Sequence, residues 1–281
     1  MIDPARHVAS SRFMPLVVAA ILMCTFLCQS ASPTTSAEPS AQIVGTLAND
    51  YLTVDLYAEG GFRARLSYDP AIWITFPGNT GILSLKTRQA EYRLYPDPTK
   101  GVTVTSHLRV AGNEDEITWV VDRLQVAQRL RLVAESLYII FEITSLGSAD
   151  TSARLRLLID TQLVWNDGAP IFVEGYGTFT HEAFFTFPGN LTFTRWWACE
   201  GPEDNIISVC HLLTRPYQVA VAYWGTARNT IFEYQTSPSR PFFRTGHMKS
   251  PESDSCVLMY FSLERLQPRI RQKITITYGV P

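Results

Sequence analysis

The chain has 281 residues and a formal net charge of −2, with 46% hydrophobic and only 18% charged residues. High hydrophobicity with low net charge excludes a disordered chain, and the lack of a basic excess excludes a general nucleic-acid binder. Only one charge-free apolar run approaches the length of a membrane span, which excludes a multi-span membrane protein. The length allows about two domains or one large all-β domain.

The N-terminal segment has the features of a secretory signal. A basic start precedes an uncharged apolar run, Phe13 to Cys28, and a stretch rich in Ser, Thr and Pro follows it. This order is typical of a cleavable signal peptide. We therefore predict a signal and the start of a flexible tether in 1–37, a linker in 38–46, and a secreted or extracytoplasmic protein. The alternative is an uncleaved anchor formed by residues 13–28, which would be the only membrane attachment.

Secretion also decides how the cysteines are interpreted. Cleavage removes two of the five and leaves Cys199, Cys210 and Cys256. In an oxidising compartment two of these three should pair. We favour a disulfide between Cys199 and Cys210, which close a short loop, and we expect Cys256 to be a buried thiol in an apolar strand.

Alternation of apolar and polar residues dominates the rest of the chain. The segments 62–68, 124–132, 153–157 and 274–278 place apolar residues on one face, and others such as 219–224 are apolar on both faces. Turn residues separate these segments at short intervals, and no helical window of convincing length appears. Many short strands of this kind predict a β-sandwich. Because no Pro/Gly/Ser linker divides 47–281, we expect one large two-sheet antiparallel domain.

Three segments carry a resemblance to a known family. They are Asn49–Leu56 followed by Glu59–Phe62, Arg156–Thr161 followed by Asn166–Pro170, and Asp254–Val257 through Tyr278–Val280. Together they resemble galactose-mutarotase-like β-supersandwich modules of bacterial extracytoplasmic proteins. The resemblance implies a supersandwich fold and carbohydrate handling. It does not imply mutarotase activity, because the His-x-Tyr-Phe-Asn segment of the epimerases has no counterpart here.

The densest polar cluster of the sequence begins where an apolar strand ends at Asp160. Asn166 and Asp167 follow in an Asn-Asp-Gly turn. Asp160, Asn166 and Asp167 would supply hard oxygen ligands for Ca²⁺. The alternative is a strand-end carboxylate next to an ordinary tight turn.

The same region offers candidate acid–base residues. A glycosidase-type pair needs two carboxylates about 5–10 Å apart across a cleft. Asp160 with Glu174 or Glu182 could form such a pair, and His181 beside Glu182 could be an oriented imidazole. If the protein is an enzyme, the expected catalytic residues are therefore Asp160, Asp167, Glu174, His181 and Glu182.

Adjacent tryptophans mark a possible sugar-binding surface. Neighbouring strand residues point to opposite faces, so one of Trp196 and Trp197 should be in the core and the other exposed. Exposed aromatic faces pack against the apolar faces of sugar rings. We therefore assign ligand binding to Trp196, Trp197 and Tyr176, together with Asp160, Asn166 and Asp167, although core packing would also explain the aromatics.

These observations favour a secreted or surface-tethered, non-catalytic binding or structural module, with a glycan or another cell-envelope component as its partner. The first alternative is a carbohydrate-active enzyme, such as an epimerase, hydrolase or lyase. The second alternative is a protein–protein assembly module of the cell envelope. The sequence implies no cofactor other than calcium, and it leaves the oligomeric state open.

Overall fold

The computed structural model describes residues 42–95, 98–163, 166–200, 206–243 and 253–281. The predicted signal and tether (1–37) lie outside the described residues. The described residues all belong to a compact unit that runs from Ala41 to Pro281. Strand structure begins at Ile43, inside the segment that we predicted as linker, because Ile43 to Ala48 pair with the following strand.

The described chain forms eighteen β-strands in antiparallel pairs. In chain order they are β1 (Ile43–Ala48), β2 (Leu52–Tyr57), β3 (Phe62–Leu66), β4 (Ile82–Lys86), β5 (Glu91–Arg93), β6 (Thr103–Ala111), β7 (Glu114–Val121), β8 (Leu124–Val133), β9 (Ser136–Ser145), β10 (Thr151–Asp160), β11 (Ile171–Val173), β12 (Gly177–Phe179), β13 (Ala183–Thr186), β14 (Arg195–Cys199), β15 (Ile206–His211), β16 (Gln218–Tyr223), β17 (Ser255–Leu266) and β18 (Arg271–Gly279). Helical structure among the described residues is limited to one 3₁₀ turn (Pro98–Lys100) and one short helix, α1 (Trp224–Ala227). No described helix is long and apolar enough to cross a membrane.

The strands form three sheets. The largest has nine strands in the order β12-β11-β14-β15-β18-β9-β8-β7-β6, the second has six in the order β13-β16-β17-β10-β4-β5, and the third is β1-β2-β3. The all-β antiparallel class expected from the sequence is confirmed. The small third sheet was not expected, and it contributes buried residues such as Leu52, Val54 and Phe62 to the main core.

The main core contains the inward side chains of all three sheets. In the six-stranded sheet these include Leu155, Leu157 and Ile159 of β10 and Val257, Met259 and Phe261 of β17; in the nine-stranded sheet they include Ile139, Phe141 and Ile143 of β9 and Ile274, Ile276 and Tyr278 of β18. Alternate residues on each strand supply this core because strand side chains alternate in direction. Burial of this apolar surface is the main term that stabilises the sandwich.

The six-stranded sheet is also buried on its other face. Leu158 of β10, Ala220 and Ala222 of β16 and Leu258 of β17 form a second core with residues that follow β16. Those residues are Trp224, Ala227, Phe232 and Tyr234. This covering explains why segment 219–223 is apolar on both faces, as fully covered strands are.

The predicted Cys199–Cys210 disulfide is absent. The two strands that carry these residues do pair, but in a register that places Cys210 opposite Trp196 and Cys199 opposite Ile206. A disulfide needs Cβ atoms about 3.5–4.5 Å apart and directed at one another. Cys256 is fully buried in β17, as expected for a structural thiol.

Candidate functional site

Three aspartates converge at one end of the six-stranded sheet. β10 ends at Asp160, which pairs with Cys256 near the start of β17, so Asp254 lies just before the neighbouring strand. The turn that carries Asp167 is attached to the same place, because the Ser255 N–H donates to the Asp167 carbonyl at 2.9 Å. Carboxylate oxygens of Asp160, Asp167 and Asp254 all lie within 4.8 Å of one another. We call these three residues the aspartate cluster.

Burial makes the charged state of the aspartate cluster costly. Asp160 is completely buried, and burial followed by the negative charges of Asp254 and Asp167 raises its pKa well above the usual range. Burial raises the pKa of Asp167 to about 6. Burial, with a further contribution from Asp167, raises the pKa of Asp254 to about 8, although the charge of Arg228 acts in the opposite direction. Carboxylates with shifts of this kind are concentrated at functional sites.

Asn166 shapes the turn next to the cluster instead of pointing an oxygen into it. Its side-chain oxygen accepts the Gly168 N–H at 3.1 Å and its amide donates to the Glu200 carbonyl at 2.6 Å. The first bond is the local turn contact that Asn side chains commonly make. Of the calcium ligands predicted from the sequence, Asp160 and Asp167 lie together in this structure and Asn166 does not point into the cluster. Asp254, which was not predicted, lies with the two aspartates.

Glu182 is a structural carboxylate. It is buried and accepts hydrogen bonds from the Tyr234 hydroxyl at 2.5 Å, the Ser237 N–H at 2.6 Å and the Tyr223 N–H at 3.1 Å. Arg240 lies 3.5 Å away. With its oxygens held by these donors, Glu182 connects β13 and β16 to the covering segment, and it does not have the open geometry that we predicted for an acid–base residue.

His181 does not form the predicted pair with Glu182. The imidazole is exposed and its Nδ1 lies 3.0 Å from the Thr180 hydroxyl, whereas the Glu182 carboxylate points into the interior. Adjacent residues in extended backbone point to opposite sides, which separates the two groups.

Glu174 is held by Arg195 of the neighbouring strand. Its Oε1 accepts hydrogen bonds from Nε of Arg195 at 3.0 Å and from Nη2, while its Oε2 accepts the N–H and hydroxyl of Thr194, both at 3.1 Å. These bonds, with that of Arg195 the largest, lower the pKa of Glu174 to about 2. Glu174 is therefore a permanent anion near neutral pH and cannot be the proton donor that we considered.

The two adjacent tryptophans divide between core and surface. Trp196 is completely buried and packs against Tyr278 with ring centroids 5.8 Å apart, so our assignment of Trp196 to ligand binding is wrong. Trp197 lies on the outer face of the nine-stranded sheet and is half-buried. The Phe172 ring packs edge-on against it at 5.2 Å, and the Arg195 guanidinium lies 5.3 Å from its ring centre.

A row of polar and aromatic residues crosses the same outer face. The strand register places Arg195 opposite His211, His211 opposite Thr277, and Thr277 opposite Tyr138. Four strands at a spacing of about 4.8 Å give this row a length of about 14 Å. We call Trp197, Phe172, Arg195, His211, Thr277 and Tyr138 the Trp197 surface.

The electrostatics of the Trp197 surface favour a neutral imidazole. Burial and the nearby Arg195 lower the pKa of His211, and Glu174 opposes them. A neutral imidazole has one donor and one acceptor nitrogen. The surface therefore combines an aromatic ring, a fixed guanidinium and a His with both hydrogen-bonding roles.

Tyr176 lies at the turn between β11 and β12 with 41% of its surface exposed. Its ring packs against Phe185 at 5.2 Å and Phe193 at 6.1 Å, and its hydroxyl donates to the Asn190 carbonyl. Tyr176 therefore anchors the chain before β14, and its hydroxyl is already engaged.

Sequence reasoning missed Asp254, His211 and Tyr138. The sequence position of Asp254 gave a signal, because Asp254 directly precedes an apolar strand and Asp160 directly ends one. When two such strands pair in antiparallel fashion, the end of one lies beside the start of the other. His211 and Tyr138 gave no such signal, since only the strand order places them beside Arg195.

Comparisons with known proteins concern the fold. No protein-family model and no curated protein matches the chain. Among solved structures, it is similar to a galactose mutarotase related enzyme from Lactobacillus acidophilus, at 8% identity and a TM-score of 0.42 over 84% of this chain and 97% of that one. It is also similar to a GalM/aldose epimerase homologue from C. elegans, at 9% identity and a TM-score of 0.40 over 86% and 99% of the two chains. A third neighbour is a polysaccharide lyase, at 10% identity and a TM-score of 0.46 over 82% of this chain and 32% of that one.

The first two neighbours are galactose-mutarotase-like and aldose-epimerase-like proteins, as the sequence resemblance indicated. At 8 to 10% identity the likeness transfers no residue and no activity to this chain. The functional argument therefore rests on the described side chains.

Proposed function

We propose that this protein is a secreted or surface-tethered, non-catalytic module that binds a glycan on the Trp197 surface. The observation that carries the proposal is the partly exposed Trp197 ring beside the fixed Arg195 guanidinium and a row of polar side chains on one sheet face. Carbohydrate-binding surfaces need this combination, because a sugar has apolar C–H faces and hydroxyls that require hydrogen-bond partners.

Rigid side chains strengthen the proposed surface. Phe172 and the Arg195 guanidinium both contact Trp197, and Glu174 holds Arg195 by paired hydrogen bonds. Side chains that are fixed before binding lose less conformational entropy when a ligand arrives. The surface should therefore bind without large rearrangement.

The residues that separate Trp197 from Tyr138 on this face are small. Trp197 lies opposite Val209, Val209 opposite Gly279, and Thr277 lies between His211 and Tyr138. Val209 and Thr277 are only 5% exposed, so a ligand would contact mainly the larger side chains around them. A sugar ring packed on Trp197 would lie within reach of Arg195 and His211, which offer donors to its hydroxyls.

A glycan array followed by calorimetric titration of the strongest responder tests the proposal. Trp197→Ala should weaken binding about 10- to 30-fold, the range expected for a central aromatic contact worth about 1.4–2 kcal/mol. The matched control is Tyr68→Ala, which removes the more exposed aromatic ring of Tyr68, located after β3 in the small sheet.

Each result separates the alternatives. Loss of affinity in Trp197→Ala with an intact fold and unchanged binding by Tyr68→Ala would support the proposal. Absence of binding to any glycan at millimolar concentration would contradict the glycan assignment and leave an assembly role, which light scattering of the purified protein would then test. Turnover of a bound sugar would contradict the non-catalytic part.

The proposed location rests on the N-terminal sequence. The apolar run from Phe13 to Cys28 and the following Ser/Thr/Pro segment are the pattern of a cleaved signal. Expression with a secretion-competent host and N-terminal sequencing of the exported protein would test it. A mature protein that starts between residues 31 and 38 supports cleavage, whereas an intact N-terminus in the membrane fraction supports the anchor.

A further inference from the structure

We propose that the aspartate cluster is a calcium site that joins the end of β10, the turn at Asp167 and the start of β17. The residues of the site are distinct from those of the Trp197 surface: Asp160 ends β10 and Asp254 precedes β17 of the six-stranded sheet, and Asp167 lies in the turn before β11. Its occupant would be a structural ion, so the proposal does not depend on glycan binding.

The first support is the convergence of three chain segments. Asp160, Asp167 and Asp254 present oxygens within 4.8 Å of one another, although 94 residues separate the first from the last. Gly168 makes this approach possible, because a Cβ there would stand 2.2 Å from the Phe242 carbonyl oxygen and 2.8 Å from Cβ of Ser253. The backbone is thus built to bring two acidic turns into direct contact.

The second support is a buried oxygen without a partner. Asp160 is completely buried, and its Oδ2 finds no hydrogen-bond donor among the described residues, while Oδ1 accepts only the Gln162 N–H at 3.3 Å. One buried oxygen of Asp167 and one of Asp254 also lack a donor in the described structure. Buried carboxylate oxygens are normally satisfied by a donor or a metal ion.

The third support is the local charge. Three ionised carboxylates carry −3, and Arg228 is the basic group whose charge reaches Asp160 and Asp254. The sum of −3 and +1 leaves −2, which one divalent cation would neutralise. Without a cation, protons take its place, because burial and mutual repulsion raise the pKa values of Asp160 and Asp254.

The limit of 4.8 Å on the separation of the carboxylate oxygens is compatible with one calcium ion between them. Oxygens on opposite sides of Ca²⁺ are about 4.6–5.2 Å apart, since Ca–O distances are about 2.3–2.6 Å. Mg²⁺, with distances of about 2.0–2.1 Å, demands tighter and nearly octahedral placement. Three carboxylates and added waters would give the six to eight oxygens that calcium takes.

Calcium titration of the EDTA-treated full-length protein tests the site, with calorimetry and chemical unfolding as independent measurements. We expect one calcium ion per chain, and at about 100 times the Kd the unfolding equilibrium constant should fall about 100-fold. Asp160→Asn and Asp167→Asn should each abolish the heat and the stabilisation. Asp50→Asn, which removes an exposed carboxylate in the turn between β1 and β2, should respond as the unmodified protein does.

Asp167 is less buried than Asp160, so Asp167→Asn should fold even if Asp160→Asn does not. The test can then be completed with the Asp167 variant. Absence of heat and of stabilisation up to about 10 mM calcium, tenfold above the weakest Kd of extracellular calcium modules, would overturn the proposal. Unchanged calcium binding in a folded Asp160→Asn or Asp167→Asn variant would also overturn it, as would an equal response to Mg²⁺.

Discussion

At the scale of single residues, the carboxylates of this protein fall into two classes with different chemistry. Glu174 and Glu182 are saturated by donors, whereas Asp160, Asp167 and Asp254 have buried oxygens that lack donors in the described structure. A saturated carboxylate stabilises the fold as an anion. A buried carboxylate without donors costs stability unless a proton or a metal ion neutralises it.

Glu182 provides a prediction for the carboxylates that are saturated by hydrogen-bond donors. Glu182→Gln replaces one accepting oxygen with an NH₂ group that must face an N–H or O–H donor. Since a lost partner leaves buried donors unsatisfied, we expect a loss of about 2–4 kcal/mol of unfolding free energy in urea. Glu264→Gln, at an exposed position of β17, is the control. Equal unfolding free energies of the two variants would show that the hydrogen bonds of Glu182 do not contribute to stability.

Glu174 provides a pH prediction. Hydrogen bonds from Arg195 lower the pKa of Glu174 from 4.5 to about 2, so ionised Glu174 stabilises the folded state. The contribution is complete above pH 4.5 and is lost as pH falls toward 2, because protonation then becomes possible in the folded state as well. The stability difference between the unmodified protein and Glu174→Gln should therefore be constant from pH 7 to 5 and shrink from pH 4.5 downward. A difference that grows on acidification would contradict this sign.

At the scale of elements, the contact between the Asp167 turn and the start of β17 depends on a missing side chain. Gly168→Ala would push a methyl group against the Phe242 carbonyl and Ser253. Such overpacking typically costs about 1–3 kcal/mol. Gly112→Ala, at a turn where a Cβ meets nothing within 4 Å, is the control. Urea unfolding of the two variants checks the expectation, and similar midpoints would contradict the tight contact.

Element-scale features also show what the sequence could predict. Alternation located β3, β8, β10 and β18, because one buried face imposes a period of two on a strand. It also predicted that one of Trp196 and Trp197 would be buried. It could not predict the pairing of β10 with β17, which is set by packing between segments about 100 residues apart, and so the position of Asp254 before an apolar strand could not by itself be matched to Asp160.

The same limit explains the failed disulfide prediction. Cys199 and Cys210 are close in sequence and lie on paired strands, but Cys210 is opposite Trp196 and Cys199 is opposite Ile206, three positions further along the strand. A register of this kind depends on the loop and the core together. Sequence spacing alone showed that the two cysteines are near one another along the chain and missed this register.

At the scale of the whole molecule, the low charge of the chain reflects sheets that are covered. The six-stranded sheet is buried on both faces, whereas the nine-stranded sheet keeps polar residues on its outer face. The proposed glycan surface and calcium site use different side chains, and loss of one should leave the other intact. Asp160→Asn should keep the glycan affinity of the unmodified protein within about twofold, and Trp197→Ala should keep its calcium response.

A map of backbone amide shifts by NMR, recorded during titration with the strongest array glycan, tests most directly whether the Trp197 surface binds sugar. We predict that saturable shifts concentrate on β14, β15, β18 and β9, around Trp197, His211, Thr277 and Tyr138. Shifts that concentrate instead on the small sheet near Tyr68, or no saturable shift at millimolar glycan, would contradict the claim that the outer face of the nine-stranded sheet binds sugar.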